Sequence, residues 1–147
     1  ENTIVPDGLA PDTERMCREY ERQIEEWGGI DVQLLGIGHD GHIGFNEPAD
    51  SFPSHTHEVK LTQLTREANK RFFSSIDDVP EYAFTMGIGT VMAARRIVLI
   101  ATGADKADIL RQAFFGPVKP AVPASILQFH GDVTVICDRE AARLLPE

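Results

Sequence analysis

A chain of 147 residues, 42% apolar and 25% charged, has room for one globular domain, and its apolar fraction with eight Phe rules out a disordered polypeptide. Twenty-three acidic against fourteen basic residues leave a net charge of -9 with no compensating basic patch, which argues against nucleic acid and anionic membranes as partners. The longest apolar stretch, around residues 96–101, is far too short to span a bilayer.

The first residues, Glu1-Asn2-Thr3-Ile4-Val5-Pro6, carry no initiator Met, basic n-region or apolar h-region. They read neither as a natural start nor as a signal peptide, so the chain is expected to be a piece of a longer one. Asp12 or Thr13 caps a helix whose apolar positions Met16, Tyr20, Ile24 and Trp27 recur at helical spacing until Gly28-Gly29 stop it, with Glu14, Glu21, Glu25 and Glu26 facing water. Cys17 on this helix and Cys137 on the last strand lack CxxC spacing and read as free thiols of a reducing, cytoplasmic compartment. Residues 30–37 form an apolar run ending in Gly36 and Gly38, which predicts a strand buried on both faces of a parallel sheet. A long connection follows to His57, rich in His, Gly, Pro and Ser, and connections of this length inside a compact domain are usually functional.

The segment 62–74 reads as an amphipathic helix with Leu64, Ala68, Phe72 and Phe73 on one side. Strands are predicted at 83–88, 97–101 and 133–137, with helices at 90–94 and 106–115. Pro117, Pro120 and Pro123 suggest a stiff extended connector. Strands alternating with helices imply an α/β sheet with right-handed crossovers.

Gly36-Ile37-Gly38-His39-Asp40-Gly41 satisfies G-x-G-x-x-G after a predicted strand, the spacing of a dinucleotide site. That site requires a helix to open there, and Pro48 breaks the chain seven residues after Gly41. The glycines Gly36, Gly38 and Gly41 instead let a strand end turn sharply and bring backbone close to a ligand, at the end of the sheet where α/β folds bind ligands. Asp40, His42 and Glu47 follow, and four of the five histidines, His39, His42, His55 and His57, lie close together.

A metal site would draw on Asp40, His42 and Glu47, yet no HxxxH or HxH pair sits on a helix or strand face, so no metal and no cofactor is expected. The acid/base reading asks only that Asp40 or Glu47 orient one nitrogen of His42 while the other faces substrate. His39, His55 and His57 taken singly read as solvent-exposed loop residues. An acidic chain that binds an anion must supply local cations: Arg71, which also has an i,i+4 partner in Glu67, and Lys106, at a strand-to-helix turn.

Taken together, Gly36-Ile37-Gly38-His39-Asp40-Gly41-His42-Ile43-Gly44-Phe45-Asn46-Glu47-Pro48, Thr65-Arg66-Glu67-Ala68-Asn69-Lys70-Arg71-Phe72-Phe73, Thr85-Met86-Gly87-Ile88-Gly89-Thr90 and Leu127-Gln128-Phe129-His130 closely resemble the glucosamine-6-phosphate deaminases. The related 6-phosphogluconolactonases share the glycine, Asp and His core but not Phe45-Asn46-Glu47-Pro48. The resemblance implies a three-layer, Rossmann-like parallel sheet, incomplete because its N-terminal half is absent. Residues 1–147 would then be one partial domain, the C-terminal part of a sugar-phosphate deaminase/isomerase domain. It implies conversion of glucosamine 6-phosphate and water to fructose 6-phosphate and ammonia. His42 would carry the proton of ring opening, Asp40 and Glu47 would orient it, and Arg71 and Lys106 would hold the phosphate. A pyranose must open before C2 loses its proton, and an imidazole flanked by carboxylates moves that proton both ways without a metal.

Family enzymes carry a longer N-terminal half with a glycine-rich phosphate loop and an Asp-Glu-Tyr segment whose Asp is the enolisation base; neither is in this sequence. The isolated chain is therefore expected to bind sugar phosphate weakly without turnover, and to self-associate or pair with the missing half. Where members activated by N-acetylglucosamine 6-phosphate carry basic and hydroxyl residues, this sequence has Asp50, His57, Val59 and Lys60, which predicts no activation by that sugar. A lactonase of the same fold, and a sugar-phosphate sensor that kept the site without catalysis, remain as alternatives.

Overall fold

The computed structural model describes residues 3–146, so the reading of the chain start at Glu1 and Asn2 lies outside the described residues. Helix α1, Thr13–Glu26, opens where the Asp12 side chain accepts the Arg15 amide at 2.9 Å. It ends at Gly28 and Gly29, both at φ 86, a left-handed backbone that glycine adopts without a Cβ penalty. Strand β1, Val32–Leu35, pairs in parallel with β4, Arg96–Ala101, which pairs in parallel with β5, Val133–Cys137. The alternation along β4 turns Ile97, Leu99 and Ala101 inward. They meet Ile88 and Val91 of α3, Ile88–Met92, and Ile109, Leu110 and Ala113 of α4, Ala107–Phe115, in one apolar core. Ile97, Leu99 and Leu110 are wholly buried, each worth about 1.5–3 kcal/mol of transfer free energy.

The parallel α/β sheet matches the sequence reading, but β1 is not buried on both faces. Val32 (57% exposed), Leu34 (63%), Ile100 (44%) and Ile136 (52%) line a bare face, and helices cover only the other. Two of the three expected layers are thus present among the described residues. Not every strand joins this sheet. Strand β2, His57–Lys60, for which no strand was predicted, pairs antiparallel with β3, Tyr82–Thr85, as a separate two-stranded sheet against which α1 packs.

Other differences have local causes. The helix expected over 62–74 is α2, Gln63–Asn69, followed by a 3-10 turn over Lys70–Phe72. Its apolar side is not packed: Leu64, Phe72 and Phe73 are exposed, whereas Thr65 is buried. Trp27 is exposed too, and Glu21 does not face water. Glu21 Oε1 accepts from the Thr56 amide at 2.6 Å, the Thr56 hydroxyl at 2.5 Å and the Thr90 hydroxyl at 2.7 Å, fastening α1 to the loop before β2 and to α3. Pro123 starts a 3-10 turn, Pro123–Phe129, instead of lying in an extended connector. A short α5, Arg139–Ala142, follows β5, capped by Asp138, which accepts the Ala141 amide. No helix among the described residues is long and apolar enough to cross a membrane.

Candidate active site

The chain turns sharply at the carboxyl end of β1. The Gly41 amide donates to Gly38 O at 3.0 Å, and the Gly38 amide to His42 O at 2.9 Å. Gly41 sits at φ 88, and a Cβ there would also press on Val122 at 2.8 Å. The turn carries Asp40 and His42 to the same point: His42 Nδ1 donates to Asp40 Oδ1 at 2.7 Å, and the same oxygen accepts the His42 amide at 3.1 Å. Both side chains are about three-quarters covered. Among the described residues the other ring nitrogen, Nε2, has no protein hydrogen-bond partner. The imidazole is therefore fixed in tautomer and direction at one nitrogen and open at the other.

Glu47 is not on that ring. Its Oε1 accepts from the hydroxyls of Thr65 and Thr62, the latter at 3.2 Å, at the start of α2. The expectation that two carboxylates flank His42 is thus corrected to one. Thr62 and Thr65, which form the helix N-cap with each other, offer Glu47 donors that the imidazole turn does not. Asn46, just before it, is buried and donates to Ile43 O at 3.1 Å and Met86 O at 2.8 Å, while the Thr85 hydroxyl accepts the Phe45 amide at 3.0 Å. Phe45-Asn46-Glu47 is therefore a strap that ties the β1 turn to α2 and to the end of β3.

A cleft of about 610 Å³ opens above this turn. His42, Arg71, Lys106, Gly36 and Gly38 all line it, together with Thr65, Asn69, Thr102, His39 and Asp105. No atom lies within 4 Å of where a Cβ on Gly36 would sit. Arg71 is exposed, its guanidinium 4.7 Å from the ring centre of Phe72. The anticipated Glu67–Arg71 pair does not form among the described residues. The α-helix ends at Asn69, so the two are no longer one helical turn apart, and Glu67 accepts from Gln63 instead. Lys106 ends a 3-10 turn, Ala104–Lys106, that leads into α4. The pairing of His39 with Asp105 was not anticipated from sequence; the two meet only because β1 and β4 are neighbours. Among the described residues no group of three or more His, Cys, Asp or Glu side chains converges as a metal ligand set.

An imidazole oriented by a carboxylate beside two cations in one cleft suits proton transfer on an anionic ester. The sequence profile of the glucosamine-6-phosphate isomerases/6-phosphogluconolactonase family matches residues 2–136. The chain belongs to that family. Among curated members of the family, the glucosamine-6-phosphate deaminase of Lachnoclostridium phytofermentans is 58% identical over 93% of this chain. That of Thermoanaerobacter sp. (strain X514) is 52% identical over the whole of this chain. The chain spans 58% of the length of each of these relatives. Among solved structures, a monomeric glucosamine-6-phosphate deaminase superposes with a TM-score of 0.91 at 51% identity, covering 96% of this chain and 58% of that one. The 6-phosphogluconolactonase of Trypanosoma brucei shares the fold at a TM-score of 0.65 and 22% identity, over 97% of this chain and 58% of that one.

Proposed function

We propose that this chain carries the ring-opening and phosphate-holding part of a glucosamine-6-phosphate deaminase, which converts glucosamine 6-phosphate and water to fructose 6-phosphate and ammonia. The observation that carries the reading is the His42 Nδ1–Asp40 Oδ1 hydrogen bond of 2.7 Å in the cleft that also holds Arg71 and Lys106. In this reading His42 Nε2 moves the proton between the anomeric hydroxyl and the ring oxygen, and Asp40 stabilises the imidazolium formed in passing. Arg71 and Lys106 hold the phosphate, so that remote binding energy fixes the position of the reacting carbons. Opening exposes C1 as an aldehyde, loss of the C2 proton gives an enolamine, return of a proton to C1 leaves an imine at C2, and water hydrolyses that imine to the ketone with release of ammonia. Glu47 enters as the residue that docks α2, the element leading to Arg71.

The deaminase reading is favoured over the lactonase by Phe45-Asn46-Glu47-Pro48, in which the Phe45 amide and the Asn46 and Glu47 side chains build the strap beneath the site. A cytoplasmic location is part of the reading, supported by the free thiols of Cys17 and Cys137. So is a protein partner, a second copy or the portion of the relatives' length that this chain does not span, supported by the bare apolar face at Val32, Leu34, Ile100 and Ile136. The functional test offers the intact protein glucosamine 6-phosphate and 6-phosphogluconolactone side by side. Ammonia from the first without acid release from the second supports the deaminase; the reverse overturns it.

A further inference from the structure

His39 and Asp105 meet at the carboxyl ends of β1 and β4, His39 Nε2 donating to Asp105 Oδ2 at 2.6 Å. This contact joins two loops across the mouth of the cleft. Both side chains are more than half exposed, so as a device for holding the fold the pair is worth little. Its position matters more, because Asp105 immediately precedes Lys106 and both line the cleft. Gly103 leaves room for the Asp105 carboxylate, since a Cβ there would lie 2.6 Å from Asp105 Oδ1, and the Gly103 amide is held by the Asp138 carboxylate at 3.0 Å. The hydrogen bond from His39 holds the Asp105 carboxyl below its usual range, so it is anionic throughout the neutral region. A fixed negative charge beside the cation expected to hold a phosphate opposes capture of that phosphate.

We propose that His39 is a proton-operated positioning residue for the anion site: protonated, it cancels the negative charge that Asp105 sets beside Lys106, and so strengthens capture of a phosphate-type dianion. The inference rests on the sugar-phosphate reading of the cleft. The charged and titratable groups facing His39 are few. Asp105 and Lys106 lie on the loop before α4, and Asp40 and His42 on its own turn. Glu67 of α2 borders the small hollow that His39 shares with Asp40, and Arg71 lies across the cleft. Histidine is the side chain suited to changing charge between pH 5 and 8. His42 is the other histidine of the set, and comparison with His39→Asn, which keeps it, separates the two.

The test is a calorimetric titration of the intact protein with inorganic sulfate, which remains a dianion from pH 5.5 to 8. Wild type, His39→Asn, Asp105→Asn and Lys106→Ala are compared at both ends. Wild-type affinity should rise on acidification by about fivefold more than that of His39→Asn, the effect of one unit charge at roughly 8 Å through a mostly aqueous path. At pH 8 Asp105→Asn should bind sulfate about fivefold more tightly than wild type, because it lacks the negative charge beside Lys106. A His39→Asn protein that keeps the full wild-type rise overturns the proposal while leaving the anion site standing. If wild type binds no sulfate, or Lys106→Ala binds it undiminished, the anion site itself fails and the role of His39 fails with it.

Discussion

The imidazole of His42 lies directly over the α-carbon of Gly38: a Cβ at that position would fall 2.2 Å from His42 Cε1 and 2.3 Å from Nδ1. Such separations are impossible for non-bonded atoms, so the ring keeps its place against Asp40 only while residue 38 lacks a side chain. In the intact protein Gly38→Ala should swing the ring off Asp40 and lower turnover by roughly 100-fold, the cost of a misplaced reacting group. The melting temperature should move little, because the ring can shift towards the open cleft. Steady-state kinetics beside a thermal melt checks both parts.

Asp40 accepts from both the ring and the amide of His42, so Asp40→Asn keeps much of the geometry and removes the charge. Turnover should fall by about 10²–10⁴, with KM for the sugar phosphate changed by less than about threefold. A rise in KM with unchanged kcat would assign Asp40 to binding instead.

Thr65 is buried and its hydroxyl donates to Glu47. Thr65→Val removes that hydroxyl at nearly constant volume and leaves the carboxylate short of a donor. A loss of about 1–3 kcal/mol in a denaturant titration is expected. Because Glu47 docks α2, and α2 leads to Arg71, KM for the sugar phosphate should rise in the same variant.

Glu21 gives the fold an acid-sensitive fastening. Partial burial pushes its carboxyl up, but the Thr56 and Thr90 hydroxyls and the Thr56 amide together outweigh this and hold it below its usual range. A carboxyl lowered in the folded state contributes stability that is complete above its unfolded value and is lost as pH falls through the folded one. Between about pH 6 and about pH 3, wild type should therefore lose more melting temperature than Glu21→Gln, which lacks this proton linkage. Parallel melting curves for the two proteins would contradict the assignment.

The bare sheet face predicts association. Four large apolar side chains exposed together on one sheet face are unusual for a soluble monomer. The 147-residue chain should run above its 16.2 kDa in light scattering, and Leu34→Lys with Ile136→Lys should return it towards that mass. A wild-type chain that is monomeric at high concentration would argue against the partner reading.

Much of this architecture was legible because local patterns and tertiary structure agree. The residues of β4 and β5 read as strands and became the central strand of the sheet and its edge neighbour. Gly38 and Gly41 read as a turn, and their contacts show why. What escaped reading depends on partners distant in sequence. His57-Glu58-Val59-Lys60 has no apolar alternation and becomes a strand only by pairing with Tyr82–Thr85. Leu64, Phe72 and Phe73 form a convincing stripe on paper, but the helix ends at Asn69 and the stripe lies open. Glu47, five residues from His42, looked like its partner by proximity, whereas the Thr62-x-x-Thr65 start of α2 offers it better donors. His39 and Asp105 could be paired only once β1 and β4 were known to be adjacent.

The measurement closest to the central claim is the release of ammonia and fructose 6-phosphate from glucosamine 6-phosphate by the intact protein and by its His42→Asn variant. Wild type should release equal amounts of both products, and the variant should lose about 10²–10⁴ in turnover while retaining affinity for the sugar phosphate. A variant that turns over as fast as wild type would contradict the assignment of His42.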